Sequence, residues 1–503
     1  MDNATEVGLE IAKLSALELL EAYGAKTLSP VEVIETLMQR IELLDRTNFK
    51  VNSLISISER ALEQAKIAEN AIHRGGSAQK CLGLPIVVKD NIDTREMRTT
   101  AGSLALAKSP FPKADATVVQ KLRSEGAIVI AKSNLSEWSN FRGTNSSSGW
   151  SGLGGQTKNP HALDRSPGGS SSGSAAAVAA MLTPIALGSE TDGSIQCPAS
   201  LCGVAGLKPS VGRVSRTGVI PISFSQDTVG PLARSAEDLS FILSIIQGID
   251  PSDESTMSFP ANASGPGTQE HSRYRLGIPS LHISQYSPST VGLFEKSLDT
   301  LRGSGFEIIE MVDRDARLFL NEDDELRVLT YELSIGLNGY LAQRSAPGAS
   351  SIAEIVQFNQ FHSRQELSLF GQEYFEMAAD PGNLDKEKYQ ASLDSNRRLA
   401  RDSIDTILAR FGLDAILTPA MGPAWLIDHI NGDSPSPSSY SYAAVAGYPS
   451  VSIPMGKVGS LPVGLLLFST INTEYHLVKI AEVAQKVLSV DMTPGFREST
   501  NII

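Results

Sequence analysis

Residues 166–195 read SPGGSSSGSAAAVAAMLTPIALGSETDGSI, and their pattern is the clearest structural signal in the chain. Two segments rich in glycine and serine, 166–174 and 188–195, enclose an alanine-rich run at 174–181 and an apolar run at 183–187. The alanine-rich run predicts a helix and the apolar run predicts a strand. Small residues between apolar elements indicate loops whose backbone N–H groups can converge on an anion. The stretch therefore predicts an α/β unit with a candidate site in its loops.

The same alternation of strands and helices continues outward in both directions. Strands are predicted at 84–88 and 127–131, with a helix at 117–124 between them. Further helices are predicted at 16–25, 30–45, 59–73, 236–247, 290–302 and 473–488, and further strands at 203–207, 275–279, 306–311, 415–418, 450–454 and 465–468, with mostly helical sequence leading up to Phe411. Because no repeat period is present, we predict one α/β domain over residues 1–503, a large mixed β-sheet flanked by helices. The Ser-, Pro- and Gly-rich stretch 250–272 is predicted to be a surface connection.

Charge and hydropathy limit the partners that the chain can have. Lys and Arg total 43 against 56 Asp and Glu, which gives a net charge of −13. An acidic protein is repelled by phosphate, so neither nucleic acid nor an anionic membrane is expected as a partner. Residues 1–6 lack the regions of a signal peptide, and no apolar run approaches the roughly 20 residues that span a bilayer. We expect a soluble protein, cytoplasmic if the chain is complete and periplasmic or secreted if an export signal has been removed.

The cysteines and histidines do not form a recognisable metal or disulfide pattern. Cys81, Cys197 and Cys202 are too few for a disulfide framework, and buried thiols are expected. No CxxC pair or HExxH motif occurs. Neither glycine-rich segment matches GxxxxGK[ST] or a GxGxxG dinucleotide motif. We therefore expect no metal and no cofactor, and phosphate binding is disfavoured.

A serine nucleophile is the remaining chemistry for these loops, and it needs a base. The sequence DGSIQ at 192–196 does not match the GxSxG elbow around Ser194. His161 is the only histidine between Lys89 and Ser194, and its neighbours Asn159-Pro160 predict an exposed turn. Lys89, by contrast, ends an apolar strand, where burial would lower its pKa and free a lone pair. The residues therefore favour a lysine base.

Three motifs in this order resemble the amidase signature enzymes. They are GLPIVVKDNID at 83–93, SPGGSSSGSAAAVAA at 166–180 and GSETDGSIQCPASLCGVAGLKPS at 188–210, with the dense match spanning about 83–235. In that family a lysine, a serine that follows a cis peptide bond and a nucleophilic serine form a proton relay. Matching motif to motif, the resemblance implies these roles for Lys89, Ser170 and Ser194, in amide hydrolysis through an acyl-enzyme.

The resemblance also implies an oxyanion hole and its support. The backbone N–H groups of Thr191, Asp192, Gly193 and Ser194 would form the hole, and Ser171 would donate a supporting hydrogen bond. Asp192 departs from the family pattern, since many members have glycine there. Two interpretations stay open for its side chain: it alters access to the oxyanion hole, or it caps the following helix.

Within the family, the chain is most similar to bacterial peptide amidases, which remove the C-terminal carboxamide from peptides. The similarity rests on TDGSI at 191–195, NLSEWSNFRG at 134–143, GWSGLGGQT at 149–157 and VSRTGVIPISFSQDTVGP at 214–231. It implies that Ser139 and Asn140 lie on the acyl side of the pocket, whereas Trp138 contacts either substrate or core. Alternatives are an aryl- or fatty-acid amide hydrolase, the A subunit of a tRNA-dependent amidotransferase, and an inactive binding protein on the same scaffold. The expected partner is a small-molecule or peptide amide, and the expected state is a monomer or homodimer.

Overall fold

The computed structural model describes residues 6–75, 78–259, 273–312, 317–344 and 349–500. It shows the predicted α/β architecture, a large mixed sheet of eleven strands with helices packed against it. No helix in these ranges is both long enough and apolar enough to cross a membrane.

Thirteen strands are found in the described residues. In chain order they are β1 (Leu54–Ile57), β2 (Pro85–Lys89), β3 (Ile128–Ser133), β4 (Trp150–Ser151), β5 (Gly155–Gln156), β6 (Ile185–Glu190), β7 (Ala205–Lys208), β8 (Thr228–Ala233), β9 (Arg275–Pro279), β10 (Glu307–Met311), β11 (Ala415–Pro419), β12 (Ser450–Val458) and β13 (Leu461–Phe468). The main sheet has the order β1-β3-β2-β6-β8-β7-β12-β13-β11-β9-β10, and β4 pairs with β5 separately.

Eighteen α-helices accompany these strands in the described part of the chain. They are α1 (Leu9–Ala12), α2 (Ala16–Gly24), α3 (Pro30–Arg40), α4 (Ala61–His73), α5 (Thr117–Ser124), α6 (Ser172–Ala179), α7 (Gln196–Cys202), α8 (Ala236–Ile246), α9 (Glu254–Met257), α10 (Ser280–Ile283), α11 (Pro288–Gly303), α12 (Glu322–Arg344), α13 (Ile352–Phe361), α14 (Ser363–Glu366), α15 (Glu373–Ala379), α16 (Lys386–Phe411), α17 (Ser441–Ala446) and α18 (Glu474–Leu488). Helix α3 begins with Pro30 after a Ser29 cap, as predicted, but gives way to a π-helical turn at Ile41–Thr47.

The central strands bring the glycine- and serine-rich loops together. Strand β2 pairs in parallel with both β3 and β6, so these strands end at the same edge of the sheet. Lys89 ends β2 and Glu190 ends β6 at this edge. Every residue of α6 is buried, which explains why alanine and small residues fill it. The predicted site therefore lies at the carboxyl edge of the sheet.

Some elements differ from the sequence prediction. Strands β1 and β8 were not predicted; β8 contains Gly230 and Pro231, which are normally depleted within strands. Pairing with β6 on one side and β7 on the other stabilises β8 despite these residues. In the predicted surface connection 250–272, residues 254–257 form α9, and 260–272 lie outside the described residues.

Candidate active site

Lys89 is a fully buried lysine with three hydrogen-bond acceptors around its amine. Its Nζ donates to Ser170 Oγ at 2.8 Å and to Ser189 Oγ and O at 3.0 and 3.2 Å. Burial lowers the pKa of Lys89 to about 7, although the charges of Asp227 and Glu190 oppose this shift. The lysine can therefore lose and regain a proton near neutral pH.

Ser170 connects this lysine to the second loop. The Gly169–Ser170 peptide bond is cis, as the family resemblance implies. A Cβ on residue 169 would lie 2.2 Å from Ser136 Oγ, so only glycine fits before the bond. The next residue, Ser171, donates its N–H to Ser194 O at 3.0 Å. This hydrogen bond joins the Ser170 loop to the loop that carries Ser194.

Glu190 organises the turn that carries Ser194. Its Oε2 accepts the backbone N–H groups of Ile195 and Gln196 at 2.7 and 2.9 Å and so caps α7. Among the described residues Asp192 accepts no N–H group at the start of this helix, and its side chain is hydrogen-bonded to Ser441, so the interpretation of Asp192 as a helix cap is wrong. Gly193 has φ 73°, and a Cβ there would lie 2.2 Å from the Tyr440 ring.

Asp227 holds the other side of the turn. It accepts the Thr191 hydroxyl at 2.6 Å and the backbone N–H groups of Ile222 and Ser223, each at 2.9 Å. Burial raises the pKa of Asp227 to about 6. The neighbouring Gln226 donates to Thr191 O at 3.4 Å. These contacts fix the backbone of Thr191 beside the catalytic candidates.

A cavity of about 360 Å³ opens directly on Ser194. Its walls are formed by Ser139, Asn140, Phe141, Gly143, Thr144, Ser146, Ser148, Gly169, Thr191, Asp192, Ser194, Cys197, Ile222, Glu322, Glu325, Leu326, Leu329, Tyr374, Trp425, Asp433, Pro435 and Tyr440. Five of the residues proposed from sequence line it: Ser139, Asn140, Thr191, Asp192 and Ser194. The other four, Lys89, Ser170, Ser171 and Gly193, are not among the residues that line it.

The segment Trp138–Asn140 shapes one wall of the cavity. Its three residues have consecutive φ values of 50°, 57° and 67°, a conformation that side chains rarely adopt. Trp138 is buried in a hydrophobic cluster and packs against Phe375 with ring centroids 5.2 Å apart. Trp138 is therefore a core residue, and Ser139 and Asn140 are the two that face the cavity. The buried Glu137–Arg142 ion pair flanks the segment.

The prediction for His161 is wrong. His161 is buried and not on an exposed turn, and its Nε2 lies 3.1 Å from Cys202 O. The reason is Asn159, whose side chain donates to Leu201 O at 2.8 Å and ties the turn to α7. Burial lowers the pKa of His161 to about 3, so it stays neutral.

The three cysteines are buried free thiols, as predicted. Cys197 borders the cavity, and burial raises the pKa of its thiol to about 12, so it is not a thiolate that competes with the serines. In the described ranges, no group of three or more His, Cys, Asp or Glu side chains could hold a metal ion.

Two residues that surround Lys89 and Ser194 were not identified from sequence as site residues. Ser189 accepts from Lys89, from Asn91 and from Ser171. Glu190 follows it at the end of the strand. Both lie inside the GSETDGSI motif. Their position at the carboxyl end of a parallel strand, where binding sites commonly lie in α/β sheets, could have identified them as site residues.

Known proteins resemble this chain in sequence and fold over most of its length. The family model for Amidase matches residues 32–478. The native peptide amidase from Stenotrophomonas maltophilia, a solved structure, is 40% identical with a TM-score of 0.88, covering 96% of this chain and 99% of its own. A probable amidase of Arabidopsis thaliana is 33% identical over 94% of this chain and 90% of its own. A glutamyl-tRNA(Gln) amidotransferase subunit of Deinococcus radiodurans is 32% identical over 95% of this chain and 98% of its own.

The family match covers most of the chain, including all three motifs that carry Lys89, Ser170 and Ser194. The resemblance seen in the sequence is confirmed. This protein therefore belongs to the amidase signature family and is an amide hydrolase that acts on C–N bonds.

Proposed function

We propose that this amidase removes the C-terminal carboxamide from peptides, with Ser194 as nucleophile, Ser170 as proton carrier and Lys89 as base. One observation carries the mechanism: a fully buried lysine amine lies 2.8 Å from the Ser170 hydroxyl, in the loop that is hydrogen-bonded to Ser194. Since burial brings the pKa of Lys89 to about 7, a neutral amine is available at ordinary pH.

The relay moves one proton in each direction. Neutral Lys89 accepts the Ser170 proton as Ser170 takes that of Ser194, and Ser194 Oγ forms a bond to the amide carbon. The proton then returns through Ser170 to the leaving nitrogen, the C–N bond breaks, and ammonia departs. Water attacks the acyl-enzyme by the same route and releases the free acid. Both steps pass through an oxyanion.

Backbone donors beside Ser194 are suited to stabilise that oxyanion. Across the described residues, the N–H groups of Thr191, Asp192 and Ser194 are hydrogen-bonded to no protein acceptor, so they are free to bind a substrate oxygen. The Gly193 N–H is instead directed at Glu190: burial raises the pKa of Glu190, and the hydrogen bond from Gly193 opposes this rise. Removal of one oxyanion donor costs about 2.7–4 kcal/mol of transition-state stabilisation in other enzymes.

The substrate class is supported by the comparisons and by the cavity. Identity is 40% to the Stenotrophomonas maltophilia peptide amidase and 32% to the Deinococcus radiodurans amidotransferase chain, and the net charge of −13 disfavours a tRNA partner. The cavity walls carry hydroxyl, amide and carboxylate groups between aromatic and aliphatic side chains, and a long fatty acyl chain would leave these polar groups without partners. A peptide backbone, with its own donors and acceptors, fits such walls better.

The first prediction concerns the bond that is cleaved. A peptide ending in a carboxamide is expected to gain about one mass unit, the exchange of NH₂ for OH, with every internal peptide bond intact. Mass spectrometry and an ammonia assay on the same sample measure this. The same peptide with a free C-terminal carboxylate is the control and should not change. Shorter fragments, or turnover confined to long-chain fatty amides, would contradict the proposal.

A second prediction concerns Asp227 and the pH dependence. The negative charge of Asp227 raises the pKa of Lys89, so Asp227→Asn is expected to lower that pKa and to move the acid limb of kcat/KM to lower pH. The quantity to compare is the pH at the midpoint of the acid limb, because the loss of the hydrogen bond to Thr191 would change the rate but not this midpoint. Asp323→Asn, an exposed acid on α12, should leave the midpoint in place. A shift to higher pH would contradict the assignment of Lys89.

A further inference from the structure

The cavity at Ser194 is lined by four carboxyl side chains and by no positively charged one. Asp192, Glu322, Glu325 and Asp433 contribute to its walls, whereas Lys, Arg and His are absent from the described residues that line it. None of the four carboxylates forms an ion pair with another described residue. The cavity walls therefore hold acidic groups without a cationic partner among them, and the buried Lys208 acts on Asp192 from outside these walls.

Two of these carboxylates have oxygens that the protein leaves without a partner. Asp192 Oδ1 is buried and has no hydrogen bond within the described chain. Glu325 is only 8% exposed, and among the described residues its Oε1 accepts from Gln226 at 2.9 Å while its Oε2 accepts nothing. Burial and the nearby Glu325 charge raise the pKa of Asp192, and burial raises that of Glu325 to about 7. Both groups therefore hold their protons more strongly than an exposed carboxylic acid does, and a cation bound against them would favour their ionised forms.

The other two carboxylates play different parts. Asp433 accepts the Ser148 N–H at 2.9 Å and the indole N–H of Trp425 at 2.9 Å, so it has a structural role in the wall. Glu322 is exposed at the start of α12, and its charge adds to the potential at the mouth. Asp192 and Glu325 are therefore the two groups that a ligand would satisfy.

Aromatic rings in the same walls add to the attraction for a cation. Phe141 and Tyr374 are stacked with centroids 4.6 Å apart, and Trp425 and Tyr440 line the cavity beside them. The face of an aromatic ring attracts a cationic group that lies within about 6 Å of its centroid. Carboxylates and ring faces together form a surface suited to an amine or a guanidinium.

We propose that the preferred substrates of this amidase are amides whose acyl part carries a positive charge, as a protonated amine or a guanidinium. The inference extends the proposed function, because it names which peptide amides the cavity selects. The cation would lie against Asp192 and Glu325 while Ser194 attacks the carbonyl. Hydrogen bonds between ions contribute about twice as much as those between neutral groups, so the preference should be measurable.

The test compares matched substrates. The panel has two matched pairs, each with a cationic and a neutral member. In the peptide pair, a peptide carboxamide contains lysine or, in its place, norleucine. In the aryl pair, an aryl amide carries an aminomethyl or a methyl group. Ammonia release gives kcat/KM for each member. In the class of substrate that the enzyme hydrolyses, kcat/KM for the cationic member is expected to exceed that for the neutral member by at least about tenfold.

Variants show whether the two carboxylates cause the preference. Glu325→Gln and Asp192→Asn are isosteric, and each is expected to reduce the cationic-to-neutral ratio severalfold. The ratio is taken within each variant, so a general loss of activity or of folded protein cancels. Asp323→Asn removes the same charge one residue after Glu322 but outside the cavity, and it should keep the wild-type ratio.

The outcomes separate this inference from the proposed function. Equal rates for the cationic and neutral members, or a ratio that neither variant changes, would overturn the inference. Release of ammonia from the aryl amides but not from the peptide amides would overturn the proposed peptide substrate. The cationic-to-neutral ratio of kcat/KM within the aryl pair would then still test the preference for a cationic acyl part.

Discussion

Replacing Ser194 by alanine is expected to reduce kcat by on the order of 10⁴-fold or more, because the nucleophile of the proposed acyl-enzyme route is removed. The fold should survive, since the change deletes one hydroxyl from a turn that Glu190 and Asp227 hold by other contacts. Ammonia release gives the loss of activity, and thermal unfolding shows that the protein stays folded. A fluorophosphonate probe should label the wild type and fail to label Ser194→Ala.

Ser172→Ala is the matched control for this variant. Ser172 lies in the same serine cluster, but its hydroxyl donates to Gly168 O at 2.6 Å and lies outside the proposed relay. Its loss is expected to lower the free energy of unfolding by about 1 kcal/mol while kcat changes far less. Retention of more than a few per cent of wild-type kcat in Ser194→Ala, with contamination excluded, would contradict the assignment of the nucleophile.

The position of Lys89 could be inferred from local sequence for a physical reason. A short apolar run is typical of a strand covered on both faces, and β2 is indeed fully buried between two parallel neighbours. A lysine at the end of such a strand cannot reach bulk water, so its pKa must fall. The strand, the burial and the direction of the pKa shift all agree with the prediction.

His161 shows where local interpretation fails. An Asn-Pro pair is typical of an exposed turn. In this protein the turn packs against α7, because the Asn159 side chain finds a partner in Leu201 O. That partner is 42 residues away in sequence. No local pattern reports whether a turn meets solvent or another element.

The walls of the cavity were predictable only in part. Ser139, Asn140 and Asp192 lie within motifs that the family resemblance identifies. Glu325 and Asp433 come from α12 and from the segment before α17, where the sequence carries no recognisable motif. Tertiary packing of helix α12 and of the loop that carries Asp433 brings these two carboxylates into the cavity at Ser194. The charge of the cavity, which underlies the inferred substrate preference, therefore required the three-dimensional structure.

The second large effect is expected at Lys89. In the wild type, kcat/KM should fall as pH decreases through about 7, because protonation of Lys89 removes the base. Lys89→Met should lose on the order of 10²–10⁴-fold in rate together with the acid limb that belongs to the lysine. Lys89→Arg should be nearly as inactive, because guanidinium remains protonated at any usable pH. Steady-state kinetics from about pH 5 to about pH 10 on all three proteins measure both effects.

Lys89→Arg separates a base from a simple positive charge. Arginine can donate to the Ser170 and Ser189 oxygens that Lys89 contacts, so it retains the charge and the donors but not the lone pair. Circular dichroism and the unfolding temperature test whether the larger side chain is tolerated in this buried position, and Lys89→Met provides a variant of similar length without charge. Near-wild-type activity in Lys89→Arg would show that Lys89 supplies only charge. In that case the base is another group, and the relay through Ser170 would have to be abandoned.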